Sequence, residues 1–392
     1  MRAGTFRYAA LRRVVFGRPA AEVIAEEAAR SGARRVLLVG SRALAEAGTI
    51  DSLAGALGGL CAGQFTAVGA HSPRASVMAI VQAARGAGAD QIVAVGGGSV
   101  IDACKVALFA LWRGVADRDG LDILRSRDWV DPSAWPAAGD PSADWPARQI
   151  MAVPTTLSAA EYTWYAGVTD ERRRVKESYT HPALVPGVVV LDPALTLRTP
   201  PALWLSTGIK ALDHAVERVC SLEANPLSDA PALQAIRLLA GALPRVAADP
   251  ADLAARQDCQ FAAWLSIQGG AAGVGVGLSH AIGHVLGAHT GVPHGLTSCV
   301  TLPAVMAWNA PVNGARQREV SAALGQAGLA AGAAIGKLIE SLALPTRLRD
   351  VGIERDAFAA LAEKTMADRN TARNPRPVAG PGDVLEVLEL AA

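Results

Sequence analysis

The apolar run at residues 91–95 (QIVAV) ends in Gly96-Gly97-Gly98-Ser99, and this junction constrains the fold more than any other stretch. The run reads as a buried strand, and the glycine cluster followed by VIDACK reads as the turn into a helix. Glycines at such a turn let the backbone approach a pyrophosphate closely. The helix N-terminus adds free N–H groups and the positive end of its dipole. A tight strand-to-helix turn without a ligand would use the same residues. The extension to GGGSVIDACK, residues 96–105, is a sharper signal.

The flanking pattern agrees with a βα alternation. Residues 20–30 read as an amphipathic helix and 35–40 (RVLLVG) as a buried strand. A second strand is expected at 65–68, a helix at 74–85, and further strands at 150–154 and 188–192 (VVVLD). Alternation of this kind predicts a parallel sheet covered by helices. Residues 112–148 are rich in Asp, Pro and Trp and read as a long surface excursion. Pro193, Pro200 and Pro201 mark a boundary, and beyond about residue 195 the chain becomes alanine-rich and helical. The expectation is a Rossmann-like α/β nucleotide-binding domain over residues 1–193 and an all-α domain over 194–392. Gly273, Gly275 and Gly277 follow no strand and read as a helix-packing or helix-start feature.

At 392 residues with 51% apolar and 19% charged side chains, the chain can bury two substantial cores. A net charge of +1 gives no footprint for nucleic acid or an anionic membrane. Five scattered cysteines without CxxC spacing suit reduced thiols. The N-terminus lacks the apolar core of a signal peptide, and no stretch reaches the length of a membrane span. A soluble, cytoplasmic protein is expected. Only five of the 37 basic residues are lysines, so each surviving lysine carries a weak functional signal.

Five segments in order across nearly the whole chain resemble the iron-containing alcohol dehydrogenases. They are GGGSVIDACK, Pro154-Thr155-Thr156 with Glu161, STGIKALDHAVE (206–217), GLSHAIGHVLGAHTGVPHG (277–295), and Asn374-Pro375-Arg376-Pro377. FRYAALRRVVFG (6–17) and NPRP are similar to the maleylacetate reductases of the same superfamily. The resemblance implies the dehydroquinate synthase-like architecture: a nucleotide-binding α/β domain, a helical domain, and an active site in the cleft between them. It implies NAD(P)-dependent hydride transfer on a small carbonyl or alcohol; a homodimer is the generic expectation for a soluble enzyme. By the same resemblance Gly97, Gly98 and Ser99 hold the pyrophosphate, with Asp102 in the same motif. Thr155 and Thr156 line the cofactor cleft, and Lys176 lies near a ribose. Where NAD-preferring relatives carry an aspartate after the first strand, this chain has Gly40-Ser41-Arg42. No carboxylate there repels a 2′-phosphate and Arg42 can pair with one, which favours NADPH or dual use over strict NAD dependence.

In iron-dependent relatives an aspartate and a histidine four residues apart bind the metal, with two further histidines fourteen apart. His214, His280 and His294 match the histidines, and Lys210 stands at the aspartate position. Residues 210 and 214 share a helix face, so the lysine points into the cluster. In one reading the Lys210 ammonium does the metal's work on the substrate carbonyl. In the other, His214, His280 and His294 still hold iron or zinc while Lys210 swings aside or is deprotonated. The first argues against a divalent ion, and a Lys210→Met change is then expected to cost far more activity than stability. Maleylacetate reductases also lack the aspartate and typically carry asparagine there. Asp213, at i+3 from Lys210, is expected to form a local ion pair. His284 matches the family position beside the nicotinamide and is expected to relay a proton, while His289 faces elsewhere.

Tyr162, Trp164 and Tyr165 could line a substrate pocket or pack in a core, and Arg369, Arg373 and Arg376 could bind a substrate carboxylate. Asp102 and the 112–148 excursion depart from the maleylacetate reductase pattern and match the broader alcohol dehydrogenases. The alternatives are a maleylacetate reductase of aromatic catabolism, a dehydroquinate synthase-like lyase, and a nucleotide-binding homologue that has lost its chemistry.

Overall fold

A computed structural model describes residues 9–126 and 144–392. Residues 6–8 of the N-terminal motif and 127–143 of the excursion lie outside the described residues. The described residues pack as two units, one up to Thr199 and the other Pro200–Ala392.

The first unit is a parallel six-stranded sheet with helices on its faces. Its strands are β1 (Arg13–Phe16), β2 (Val36–Val39), β3 (Cys61–Phe65), β4 (Gln91–Gly96), β5 (Met151–Pro154) and, after a separate hairpin, β8 (Val188–Leu191), in the order β1-β8-β5-β4-β2-β3. Apolar runs make these elements because a central parallel strand is covered on both faces: every residue of β2, β4, β5 and β8 is buried. Side chains alternate between the faces. Val36, Leu38, Val93 and Val95 join one core with helices α1 (Ala20–Ser31) and α3 (Thr49–Leu57). Each of these buried valines and leucines contributes about 1.5–3 kcal/mol. Helices α4 (Arg74–Gly86) and α5 (Gly98–Trp112) pack on each other and on β2–β5. Short helix α2 (Arg42–Glu46) opens directly after β2.

One expected strand is misplaced. β3 runs over Cys61–Phe65 and shares only Phe65 with the 65–68 stretch. Its sequence CAGQF has no apolar run because the strand sits at the sheet edge and is only half-buried. A hairpin of β6 (Tyr165–Asp170) and β7 (Val175–Thr180) packs against α5 and was not anticipated from the sequence. It is fastened by Arg74, whose Nε donates to Glu177 at 2.8 Å and whose guanidinium also pairs with Asp122.

The second unit contains helices and no strand among its described residues: α6 (Pro201–Cys220), α7 (Pro226–Ala248), α8 (Leu253–Ile267), α9 (Leu278–Thr290), α10 (His294–Ala323), α11 (Ala331–Ser341), α12 (Phe358–Thr365) and α13 (Pro381–Leu390). Proline at N1 starts α6, where its missing N–H costs nothing. From Trp204 to Cys220 all but Lys210 are buried, and α7, α8 and α10 pack around the helix. A helix enclosed this way presents its polar side chains to other helices rather than to water. No described helix is long and apolar enough to cross a membrane.

Candidate active site

Because β2, β4 and β5 are adjacent and parallel, their C-terminal ends share one edge of the sheet. Gly40-Ser41-Arg42 follows β2; Gly97, Gly98 and Ser99 follow β4; Thr155 and Thr156 follow β5. Such an edge is where doubly wound sheets take nucleotides. Gly97 caps α5 in an extended conformation, and a Cβ there would lie 2.9 Å from Thr156 Cγ2. Glycine there lets the two loops meet without displacing the Thr156 side chain. Thr156 Oγ1 is buried without a hydrogen-bond partner, a polar atom a ligand could satisfy. Thr155 N–H donates to the Gly96 carbonyl at 3.0 Å, tying the loops together.

Ser99 Oγ accepts the His71 N–H at 3.1 Å, and Ser72 Oγ donates to the Ser99 carbonyl at 2.8 Å. Asp102 Oδ2 accepts the Gly167 N–H at 3.0 Å, anchoring the hairpin, and burial pushes its carboxyl up. Lys176, on β7, is close enough to Asp102 and His71 to act on both electrostatically. Ser41 caps α2, and Arg42 is exposed at that helix's first turn. The expected cofactor residues thus gather within the first unit.

The second unit brings the lysine and histidines together. Lys210 and His214 lie on α6, His280 and His284 on α9, and His294 opens α10. The His214 and His280 rings stack at 4.8 Å; His284 stands edge-on to His280 at 6.3 Å and to His294 at 6.0 Å. Gly295 permits this convergence: a Cβ there would meet the Ser206 backbone at 2.8 Å, so α10 starts directly against α6.

Lys210 Nζ lies 3.6 Å from Asp213 Oδ2; the carboxylate is buried and the lysine side chain is 11% exposed. Asp213 Oδ2 also accepts Ser279 Oγ at 3.0 Å and Ser298 Oγ at 2.6 Å. Burial pushes the Lys210 pKa down, with Asp213 and Glu217 opposing it. Glu217 Oε2 accepts His280 Nδ1–H at 2.7 Å and the Gly277 N–H at 2.8 Å; its Oε1 accepts the Ser279 N–H at 2.8 Å. One carboxylate on α6 thus caps the N-terminus of α9 and fixes the orientation of His280. His280 Nε2 is then left without a hydrogen-bond partner in the interior, as is His214 Nδ1. Burial holds both imidazoles well below the usual histidine range, hence neutral.

A family model described as "Iron-containing alcohol dehydrogenase" matches residues 12–193, and one described as "Fe-containing alcohol dehydrogenase family, C-terminal" matches residues 204–392. The chain belongs to the iron-containing alcohol dehydrogenase family. It is 30% identical to a lactaldehyde reductase of Escherichia coli strain K12, covering 96% of this chain and 97% of the relative. A maleylacetate reductase of Sphingobium indicum is 31% identical, over 97% and 95% of the two chains. A crystal structure of maleylacetate reductase from Agrobacterium tumefaciens superposes with a TM-score of 0.81 at 28% identity, over 100% and 98%. The chain is therefore an alcohol dehydrogenase-type oxidoreductase.

Against the family's metal-ligand pattern, the donor set does not fit. Lys210 occupies the carboxylate position. Among the described residues, the group that brings potential ligand atoms together is Asp213, Glu217 and His280, within 4.8 Å of one another, not the three histidines. One oxygen of each carboxylate already takes donors, Asp213 Oδ2 from Ser279 and Ser298 and Glu217 Oε2 from Gly277 and His280. A nucleotide fits better: Gly97 is a cradle a Cβ would fill, and Thr156 Oγ1 an orphan beside it.

Some candidate pocket residues are engaged elsewhere, and His289, expected to face away from the cluster, stands at the surface. Its Nδ1 lies 3.2 Å from Lys364 Nζ. Arg376 is not open to a substrate carboxylate: its guanidinium stacks 3.8 Å over Trp308, donates to the Trp308 carbonyl at 2.9 Å and pairs with Glu386. Tyr162 is buried while Tyr165 is exposed, so the aromatic trio does not act as one lining. The roles of Glu217 and Asp368 went unseen in the sequence. Their contacts span about 60 to 84 residues, and the only local signal is the glutamate closing the DHAVE motif.

Proposed function

We propose that this enzyme reduces a small carbonyl to an alcohol, reversibly, using NAD(P)H and the Lys210 ammonium where relatives place a divalent ion. The observation that carries the reading is the buried Lys210–Asp213 pair at 3.6 Å beside two neutral imidazoles. When bound, the dinucleotide supplies hydride from C4 of its nicotinamide to the carbonyl carbon. Gly97, Gly98 and Ser99 hold the pyrophosphate with the α5 N-terminus, assisted by Asp102; Thr155, Thr156 and Lys176 border the same groove. Gly40, Ser41 and Arg42 receive the adenosine end, and the missing carboxylate with Arg42 beside it favours NADPH.

Lys210 polarises the carbonyl oxygen and stabilises the negative charge that develops there. Asp213, held by two serine hydroxyls, keeps the ammonium in place. His280, oriented by Glu217, offers Nε2 to the substrate, with His214 and His294 completing the polar wall. His284 delivers the proton to the oxygen. A partly buried catalytic cation is expected to contribute a few kcal/mol, comparable to one oxyanion-hole donor.

The test is NADPH oxidation by exhaustively chelated enzyme, with maleylacetate and lactaldehyde as carbonyl substrates. Turnover that survives chelation, with no metal retained by elemental analysis, supports the reading. Turnover that disappears on chelation and returns with iron or zinc overturns it. Similarity to maleylacetate reductases along 97% of the chain makes maleylacetate the first carbonyl to try.

A further inference from the structure

His284 is not an isolated base. Its Nδ1 lies 2.8 Å from Asp368 Oδ2, across 84 residues of sequence. Asp368 follows α12, and its other oxygen, Oδ1, accepts the Asn370 N–H at 2.9 Å. Its side chain is largely buried, whereas that of His284 is 46% exposed. Burial opposes ionisation of Asp368, yet the hydrogen bond from His284 leaves the carboxyl below its usual range. The carboxylate is thus fixed at both oxygens, one by its own backbone turn and one by the imidazole.

We infer that Asp368 is the positioning residue of the proton relay: it holds His284 with the proton on Nδ1 and leaves Nε2 to exchange protons with the substrate oxygen. The inference rests on the proposed role of His284. A carboxylate only accepts hydrogen bonds, so Nδ1 must donate, and the lone pair of the neutral imidazole falls on Nε2. In reduction the carbonyl carbon accepts hydride, and the oxygen forms its O–H bond with the proton on Nε2 of the imidazolium. The N–H bonding pair stays on Nε2 as a lone pair, and Nδ1–H remains on Asp368. Oxidation of the alcohol runs the same transfer backwards, with Nε2 taking the hydroxyl proton. The Asp368 negative charge stabilises the imidazolium in both directions, as the carboxylate does in other carboxylate–histidine pairs.

The Asn370 contact makes the test unusually discriminating. In Asp368→Asn the amide oxygen stays on the Asn370 N–H, so the amide NH2 group faces His284. Nδ1 must then accept, which moves the ring proton to Nε2 and blocks its lone pair. Asp368→Ala loses the partner but leaves the tautomer free.

Asp368→Asn is therefore expected to lower kcat about 10²-fold, and Asp368→Ala only about tenfold, with KM changed less than twofold. In a His284→Ala background the Asn substitution adds nothing. Nitrogen NMR of the histidine side chains reports the tautomer independently of turnover: Nδ1–H in the wild type, Nε2–H in Asp368→Asn. The inference is overturned if Asn is the milder substitution, if its effect persists without His284, or if the wild-type ring carries its proton on Nε2. If His284→Ala itself retains full turnover, the relay falls with it. Loss of carbonyl reduction by chelated wild type, with the Nδ1–H tautomer intact, would instead strike the metal-free reading alone.

Discussion

Replacing Lys210 by methionine probes the reading at its centre, and the structure changes what that substitution should do. The Lys210–Asp213 separation of 3.6 Å corresponds to about 5 kcal/mol of attraction at an effective dielectric of about 20. Removing the lysine alone strands a buried carboxylate, which costs about 3–5 kcal/mol. The hydroxyls of Ser279 and Ser298 recover part of that loss. The single variant should thus lose stability as well as activity, so the loss of activity alone does not isolate the lysine's role. Lys210→Met combined with Asp213→Asn removes both charges while the serine hydroxyls still bond the amide oxygen. Its unfolding midpoint in urea should return to near the wild-type value. Turnover in NADPH oxidation should stay down by about 10²–10³-fold, the cost of a missing transition-state donor. Recovery of stability and turnover together would refute the argument and reduce Lys210 to a counter-ion for Asp213.

Gly97→Ala pushes a methyl group to 2.9 Å from Thr156; NADPH binding, followed by nucleotide fluorescence, should weaken about tenfold, or about 1.4 kcal/mol, and unchanged affinity would exclude Gly97 from the groove. Ser41→Asp adds a carboxylate at the α2 cap, where aspartate also suits the helix. The kcat/KM ratio should then move toward NADH by about tenfold or more, and an unmoved ratio would place the adenosine elsewhere. Glu161 is fully buried, and burial raises its carboxyl to about 7. The folded state therefore holds a proton that the unfolded chain releases near 4.5, and stability should fall as pH rises between the two values. Glu161→Gln should flatten that slope in denaturation measured from pH 5 to 8; an unchanged slope would assign it to other groups.

Sequence made the nucleotide half legible because its signals are local. QIVAV-GGGS is strand, turn and helix within ten residues, and the structure puts β4, Gly97 and α5 there. The i, i+3 spacing of Lys210 and Asp213 likewise guaranteed one helix face, and their ion pair follows from it. What failed lacked a local signature. β3 is an edge strand with a glycine and a glutamine inside it. The β6–β7 hairpin is bridged by the charged run Glu171-Arg172-Arg173-Arg174, and it is tied to the rest of the unit by contacts distant in sequence, Arg74 to Glu177 and Gly167 to Asp102. Asp368 and Glu217 meet their histidines across about 60 to 84 residues of sequence, and no spacing rule reaches that far.

Under the proposed function, lysine at position 210 is a change of ion rather than the loss of a ligand. Buried charge has to be balanced locally, because the interior cannot screen it. With an aspartate at position 210, a divalent ion would supply that balance, and the histidines would turn lone pairs toward it. In this chain Lys210 is positive, Asp213 opposes it, and Glu217 is balanced by N–H donors at the start of α9. A dication added to that arrangement would face the ammonium across carboxylates that already serve Lys210 and the N–H donors of α9. On the proposed reading, the ties from Ser279 and Ser298 to Asp213 have a purpose: a fixed anion would keep the ammonium facing the substrate oxygen. Lysine at 210 and an anchored carboxylate at 213 therefore form one device. A homologue carrying lysine at the first position should carry an acidic residue one turn on, with hydroxyl donors to hold it.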